Sequence, residues 1–123
     1  VLVYDGKVYK YAYQHRNRQR NPRVGVGMVA PGHFVAIAAD GRIPGYSVGL
    51  EIMEFAKLFL DEGCQVAYNL DGGASEAMVF MGEYVSLRAE AHVRTMPDAL
   101  MWGYSELVPG LDAPYVHSGV YKK

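Results

Sequence analysis

A single amphipathic helix is the feature that most constrains how this 123-residue chain can fold. Between Ser47 and Glu62, apolar residues recur at the spacing of one helix face: Ile52, Phe55, Ala56, Phe59 and Leu60. Ser47 is the predicted N-cap, and Gly63 is the predicted terminator in the left-handed conformation. Burial of each large side chain on this face would contribute about 1.5–3 kcal/mol, so we expect the helix to be structural.

Short apolar runs separated by turn residues make up most of the remaining chain and predict strands. Asp5-Gly6 is a strong hairpin signal, and Phe34–Ala39 is nearly continuously apolar, as in a central strand covered on both faces. The predicted strands are residues 1–4, 8–13, 24–30, 34–39, 65–70, 78–81, 84–87 and 98–104. We therefore predict an α+β fold: a mixed, largely antiparallel sheet with one main helix packed on it.

Composition argues against several classes of function. The net charge of −1 disfavours electrostatic binding to nucleic acid, and no apolar run approaches the ~20 residues of a membrane span. The single cysteine, Cys64, rules out an internal disulfide. The four histidines lack zinc spacing and the acids lack calcium-loop spacing, so we predict no metal and no cofactor. The basic cluster at residues 15–23 is expected to be a solvated loop, and a nucleic-acid binder is the weakest alternative.

A polar turn at Asp71-Gly72-Gly73 follows the apolar run of residues 66–70. Asn69 and Ser75 flank this turn, so a carboxylate, an amide and a hydroxyl lie close together at a tight bend. Ligands are often held by polar groups on a loop that a rigid scaffold positions. A simple hairpin turn is the alternative interpretation.

A second polar turn, Asp40-Gly41-Arg42, again places an acid directly after an apolar strand. A surface salt bridge at a strand end is the alternative, and it would contribute little. Arg23 differs from the other arginines of the basic cluster because it directly precedes an apolar strand and can project from its start. Both turns are expected to lie on one rim, at the ends of neighbouring strands.

These segments resemble the phosphodiester glycosidase domain family in order and spacing. The matching motifs are Arg23-Val24-Gly25-Val26-Gly27, Asp40-Gly41-Arg42, Gly45-Tyr46-Ser47-Val48-Gly49-Leu50, Asn69-Leu70-Asp71-Gly72-Gly73-Ala74-Ser75, and Arg94 through Asp98-Ala99-Leu100. The resemblance runs over residues 1–104, which we take as the C-terminal part of such a domain, and residues 105–123 are expected to form an irregular tail. An earlier Asn-Gly-Gly-Phe-Phe-like segment of the family has no counterpart in this sequence.

The resemblance implies a hydrolase that cleaves the glycosidic bond between a sugar and the phosphate of a sugar-1-phosphodiester. It implies catalytic roles for Asp71, Asp40, Arg42 and Asn69, and substrate binding by Arg23, Gly72, Gly73 and Ser75. Within these roles, a guanidinium suits the phosphate and paired carboxylates suit the anomeric centre.

The resemblance also implies a sugar-phosphate or polysaccharide substrate and a secreted or cell-envelope location, since bacterial members are described as exopolysaccharide-related. We expect a preceding segment or another chain to cover an exposed sheet edge. Three positions depart from the family pattern: Ala74 replaces a glycine, Glu76 a serine or threonine, and Val24 a threonine. These departures favour the rival hypothesis, a non-catalytic carbohydrate- or sugar-phosphate-binding envelope module. The residues that match the family favour the enzyme: Asp40, Arg42, Asn69 and Asp71.

Overall fold

The computed structural model describes residues 1–14, 18–87, 95–96 and 99–102. Five strands form a sheet in the order β2-β1-β5-β3-β4, and every pairing is antiparallel. The strands are β1 (Val3–Tyr4), β2 (Lys7–Val8), β3 (Arg23–Ala30), β4 (His33–Ala39) and β5 (Val66–Asn69). The main helix is α1 (Ile52–Asp61), and β6 (Val79–Phe80) with β7 (Glu83–Tyr84) forms a separate hairpin. The predicted α+β class is confirmed.

Helix α1 packs against one face of the sheet through two phenylalanines. Phe55 and Phe59 are both 0% exposed, with their ring centroids 5.2 Å apart in an edge-to-face arrangement. Gly25 and Gly27 of β3 lie beneath these rings, where a Cβ on Gly27 would lie 2.8 Å from the Phe59 ring. The helix can therefore approach β3 closely only because these two positions carry no side chain.

The predicted start of the helix is wrong, while its predicted end is confirmed. The helix begins at Ile52 with Glu51 as N-cap, and the Glu54 carboxylate accepts a 2.9 Å hydrogen bond from the Glu51 amide. Ser47 instead donates its hydroxyl hydrogen to the carbonyl oxygen of Asp40, at 2.6 Å. Gly63 adopts φ +80°, the left-handed conformation expected after a helix.

Other local predictions divide between confirmed and wrong. The Asp5-Gly6 hairpin is confirmed, since both residues have positive φ between the paired strands β1 and β2. The predicted strand 8–13 is wrong beyond Val8, because Lys10–Gln14 forms a 3-10 helix. The predicted hairpin between residues 78–81 and 84–87 is confirmed by the pairing of β6 with β7. Parts of the predicted strand 98–104, the Arg94 motif and the predicted tail 105–123 lie outside the described residues.

Strand β4 is not the central, doubly covered strand that its apolar sequence predicts. Among the described residues it pairs only with β3 and forms an edge of the sheet. Phe34 lies on the face opposite α1 and is exposed, as are Tyr4 and Tyr68 on the same face. The helix in the described part of the chain is too short to cross a membrane.

The antiparallel topology brings the two polar turns to one end of the sheet. Strands β4 and β5 flank β3, with Arg23 opposite Ala39 and Gly25 opposite Asn69. The residues that follow Ala39 and Asn69 therefore leave the sheet at the same end, on either side of the beginning of β3.

Candidate active site

Three glycines from separate segments pack directly against the backbone of Asn21 and Pro22, just before β3. A Cβ on Gly41 or on Gly72 would lie 2.7 Å from Pro22 N and 2.6 Å from Pro22 O, respectively. A Cβ on Gly49 would lie 2.4 Å from Asn21 C and O. Side chains essentially never approach backbone atoms so closely, so the glycines allow both polar turns to converge on this segment.

Arg42 joins the two turns. Its Nε and Nη2 donate hydrogen bonds to Asn21 Oδ1, at 3.1 and 2.7 Å. The guanidinium lies over Gly73, where a Cβ would be 3.3 Å from Arg42 Nη2. Gly73 has φ +62° and its amide donates to Pro22 O at 2.9 Å. The cation of the second turn is thus held against the backbone of the first turn.

The backbone of Arg42 itself adopts φ +58°, an uncommon conformation for a residue with a side chain. Such strain persists only where the surrounding structure imposes it, and it often accompanies functional sites. Here the neighbouring contacts of Gly41 with Asn21 and Pro22 hold the turn in place.

Arg23 is buried beneath this rim rather than displayed on it. Its side chain is 3% exposed, and it donates to Leu50 O at 2.6 Å and to Gln19 O at 3.0 Å. Burial lowers the pKa of the Arg23 guanidinium by desolvation of the charged form. Arg23 therefore supplies a positive charge and ties β3 to the loop that precedes α1.

The two candidate carboxylates differ in their surroundings. Asp40 Oδ1 accepts from the Leu87 amide at 2.9 Å, and Oδ2 accepts from the Tyr46 hydroxyl at 3.1 Å. The hydrogen bond to Asp40 and its negative charge raise the pKa of Tyr46. Asp71 is exposed and accepts no hydrogen bond from the residues that the structure describes. Asp40 is thus oriented by two donors, whereas Asp71 is exposed to solvent.

Asn69 ends β5 beside an open cleft of about 230 Å³. Tyr9, Tyr11 and Ile52 also line this cleft. The Asn69 amide nitrogen donates to Leu70 O at 2.6 Å, while its Oδ1 is buried and accepts no hydrogen bond from the described residues. The polar group at the end of β5 therefore retains an unused acceptor beside a concave surface.

Ser75 and Glu76 are buried behind the first turn. Their exposed fractions are 7% and 3%, and the Glu76 amide donates to Gly73 O at 3.2 Å. Both side chains are therefore nearly inaccessible to solvent.

Sequence analysis did not single out Asn21 or Tyr46, the side chains that contact Arg42 and Asp40. Asn21 lies within the basic cluster, where the Asn-Pro dipeptide signals a turn and nothing more. Tyr46 lies in a recognised motif, but its partner is six residues away across a turn, which spacing alone does not reveal. Within the described ranges, no group of three His, Cys, Asp or Glu side chains is arranged to hold a metal ion.

Comparison with known proteins places this arrangement in context. The family model described as phosphodiester glycosidase matches residues 1–102. The chain is 33% identical over 87 residues, 71% of its length, to the SPbeta prophage-derived uncharacterized protein YomE of Bacillus subtilis strain 168. The match covers 13% of that relative.

Solved structures resemble the chain in fold. A Burkholderia pseudomallei K96243 protein described as exported is 40% identical with a TM-score of 0.55, over 58% of this chain and 14% of that one. A second structure is the catalytic domain of zebrafish N-acetylglucosamine-1-phosphodiester alpha-N-acetylglucosaminidase, auto-inhibited by its pro-peptide. It is 24% identical with a TM-score of 0.61, over 71% of this chain and 32% of that one. A hypothetical Synechocystis protein is 24% identical with a TM-score of 0.59, over 72% and 17%. The chain thus spans a third or less of the length of these proteins.

Proposed function

Because the chain belongs to the phosphodiester glycosidase family, we propose that it takes part in hydrolysis of the bond between the anomeric carbon of a sugar and the phosphate of a sugar-1-phosphodiester. The observation that carries the proposal is the contact between the two polar turns. The Arg42 guanidinium lies over Gly73, and exposed Asp71 belongs to the same turn as Gly73. A cation and an exposed carboxylate therefore lie on adjoining backbone segments. Cleavage of a sugar–phosphate bond uses both, a cation to bind the phosphate and a carboxylate to act at the anomeric carbon.

Arg42 is the proposed binding group for the phosphate. A planar guanidinium binds phosphate oxygens through two parallel hydrogen bonds, and it keeps its charge at all relevant pH values. The Gly72-Gly73 backbone lies beside it, and the absence of side chains at these two positions lets Pro22 and Arg42 approach the turn closely. The leaving group is a phosphate monoester, so it needs less protonation than an ordinary glycoside oxygen.

Asp71 is the proposed reacting carboxylate, as nucleophile or as general base for water. Its exposure and its lack of hydrogen-bond donors among the described residues support this assignment over Asp40. Asp40 remains the proposed second carboxylate of the site. The Tyr46 hydroxyl and the Leu87 amide hold it in one orientation.

The sugar is proposed to lie beside the cleft next to Asn69. The unused Asn69 Oδ1 can accept a hydrogen bond from a sugar hydroxyl if the side chain turns toward the cleft. Tyr9 and Tyr11, whose ring centroids are 5.4 Å apart, provide an aromatic wall on the same cleft. We retain Arg23 and Ser75 as substrate-site residues of the proposal, with Arg23 acting through its buried charge and its support of the rim.

Hydrolysis of a sugar-1-phosphodiester, followed as release of free sugar, tests this function. We expect Asp71→Asn and Arg42→Ala each to reduce turnover at least a hundredfold, on the scale at which loss of a positioned acid–base or transition-state charge acts. Asp61→Asn and Lys57→Ala are matched controls, because these two residues pair with each other on the exposed side of α1. Full turnover by Asp71→Asn would refute the assignment of the reacting carboxylate.

The rival function is sugar-phosphate binding without turnover. The observation that favours it is Glu76, a carboxylate that is 3% exposed and stands where the family carries a serine or threonine. Saturable binding that depends on Arg42, with no sugar released, would establish the binding module instead.

Location and further covering elements are proposals that rest on the family and its relatives. A secreted or cell-envelope location, with a polysaccharide or other sugar-phosphate substrate, is supported by the relative described as exported. We also expect a preceding segment or another chain to pair with the sheet edge. The chain spans 13–32% of the proteins it matches.

A further inference from the structure

We propose that Asn21 is a positioning residue that holds the Arg42 guanidinium in its anion-binding orientation. This inference rests on the proposed role of Arg42 in binding phosphate. Asn21 Oδ1 accepts from both Nε and Nη2 of Arg42, at 3.1 and 2.7 Å, so a single oxygen restrains one edge of the planar group. Restraint at two nitrogens fixes the plane of the guanidinium as well as its place.

Asn21 is itself immobilised. It is 6% exposed, and its amide nitrogen donates to Gln19 O at 3.0 Å. Its backbone exchanges hydrogen bonds with Leu50, at 3.3 and 3.1 Å, and Gly49 packs against the same backbone. A side chain anchored through its amide nitrogen and its backbone can restrain a partner at its amide oxygen, because it does not move with that partner.

The chemistry of an amide suits this task better than that of a carboxylate. An aspartate here would bind the guanidinium more strongly but would cancel its positive charge. The neutral Asn21 oxygen orients Arg42 and leaves the net charge of the pair at about +1, available to an anion. Arg42 carries a long, exposed side chain, and an unrestrained arginine of this kind samples many rotamers.

A double-mutant cycle on Asn21 and Arg42 tests the proposal, with inorganic phosphate and a sugar-1-phosphate as probes in calorimetry. We expect Asn21→Ala and the nearly isosteric Asn21→Asp each to weaken phosphate binding roughly tenfold, on the scale of one charge-assisted contact. In an Arg42→Ala background, Asn21→Ala should not weaken binding further, because the residue that Asn21 positions is gone. Asn21→Asp is not used in this background, since its negative charge would itself repel phosphate. If Asn21→Ala does not fold, Asn21→Ser, which is small and neutral, completes the cycle.

A merely structural role for Asn21 gives a different result. Additive losses in the double variant, or unchanged phosphate affinity in Asn21→Asp, would overturn the proposal. So would a chain that binds no phosphate. Arg20→Ala is the matched control, because Arg20 donates to Gly49 O on the same loop without contacting Arg42 in the described structure.

A second readout separates this proposal from the proposed hydrolysis. The NMR signal of Arg42 Nε should show slow exchange with water in the native chain and fast exchange in Asn21→Ala, whether or not any substrate is cleaved. Phosphate binding that depends on Asn21, in a chain that releases no sugar, would leave the positioning role standing and remove the hydrolase.

Discussion

Substitution of Gly49 by alanine should destabilise the fold through two separable effects. Gly49 has φ +88°, which strains any residue that carries a Cβ, and a Cβ there would lie 2.4 Å from two backbone atoms of Asn21. The backbone strain costs about 1–2 kcal/mol. Forcing the Asn21 backbone away adds about 1–3 kcal/mol, as overpacking of a fitted site does. The expected loss for Gly49→Ala is therefore about 2–5 kcal/mol.

The same loop supplies the controls that separate strain from clash. Gly45 has φ +77° with no atom within 4 Å of its would-be Cβ, so Gly45→Ala should cost only the strain, about 1–2 kcal/mol. Gly41 does not have positive φ, but its Cβ would lie 2.7 Å from both Pro22 N and Gly49 Cα. Gly41→Ala should therefore show only the clash.

Urea unfolding followed by circular dichroism measures these losses, with equal slopes required for a valid comparison. Phosphate binding should also weaken in Gly49→Ala and Gly41→Ala, because displacement of Asn21 moves Arg42, and should remain normal in Gly45→Ala. If Gly49→Ala is no more destabilising than Gly45→Ala, the close approach to Asn21 does not constrain the fold and the reasoning fails.

Three further predictions concern the core, the rim and the buried thiol. Phe59→Ala should lower the free energy of unfolding by about 3–5 kcal/mol, whereas Leu58→Ala on the exposed side of α1 should cost far less, as urea titration can measure. The hydrogen bond to Asp40 raises the pKa of Tyr46 above its ordinary 10.0, so the bond should persist below pH 10 and be lost as pH rises through the higher native pKa. The absorbance change at 295 nm that comes from this late-titrating tyrosine should be missing in Tyr46→Phe. Its persistence in that variant would contradict the assignment. Burial raises the pKa of the Cys64 thiol, and the Glu62 charge adds to this effect. DTNB should therefore label the thiol at pH 8 only after unfolding, and the free energy of unfolding should fall as pH rises above 9.0 toward the native pKa. Rapid labelling of the native chain would contradict the burial of Cys64.

Local chemistry explains the elements that could be predicted. Asp5-Gly6 specifies a two-residue turn, and Gly63 ends α1 because it alone tolerates φ +80° cheaply. The predicted helix start is wrong because two candidate N-cap residues, Ser47 and Glu51, lie close together in the sequence. The Glu51–Glu54 hydrogen bond begins the helix, and the Ser47 hydroxyl is instead bound to the Asp40 carbonyl.

Strand β4 shows a second limit of sequence reasoning. A nearly continuous apolar run predicts burial on both faces, yet β4 is an edge strand of the described sheet with Phe34 exposed. Apolar content reports what a segment can bury, whereas the neighbours that would cover it are set by the topology and by the rest of the assembly.

The sequence by itself determined the α+β class, the helix face and the two polar turns, because each depends on residues close together in the chain. Only the tertiary structure decided how those turns meet. The antiparallel register of β4 and β5 against β3 brings Gly73 to Pro22 and Arg42 to Asn21, which lies 21 residues from Arg42 in the chain. Contacts between residues so far apart in the chain depend on the order of the strands. They also depend on glycines that allow close backbone approach, and the sequence does not show which segments will approach each other.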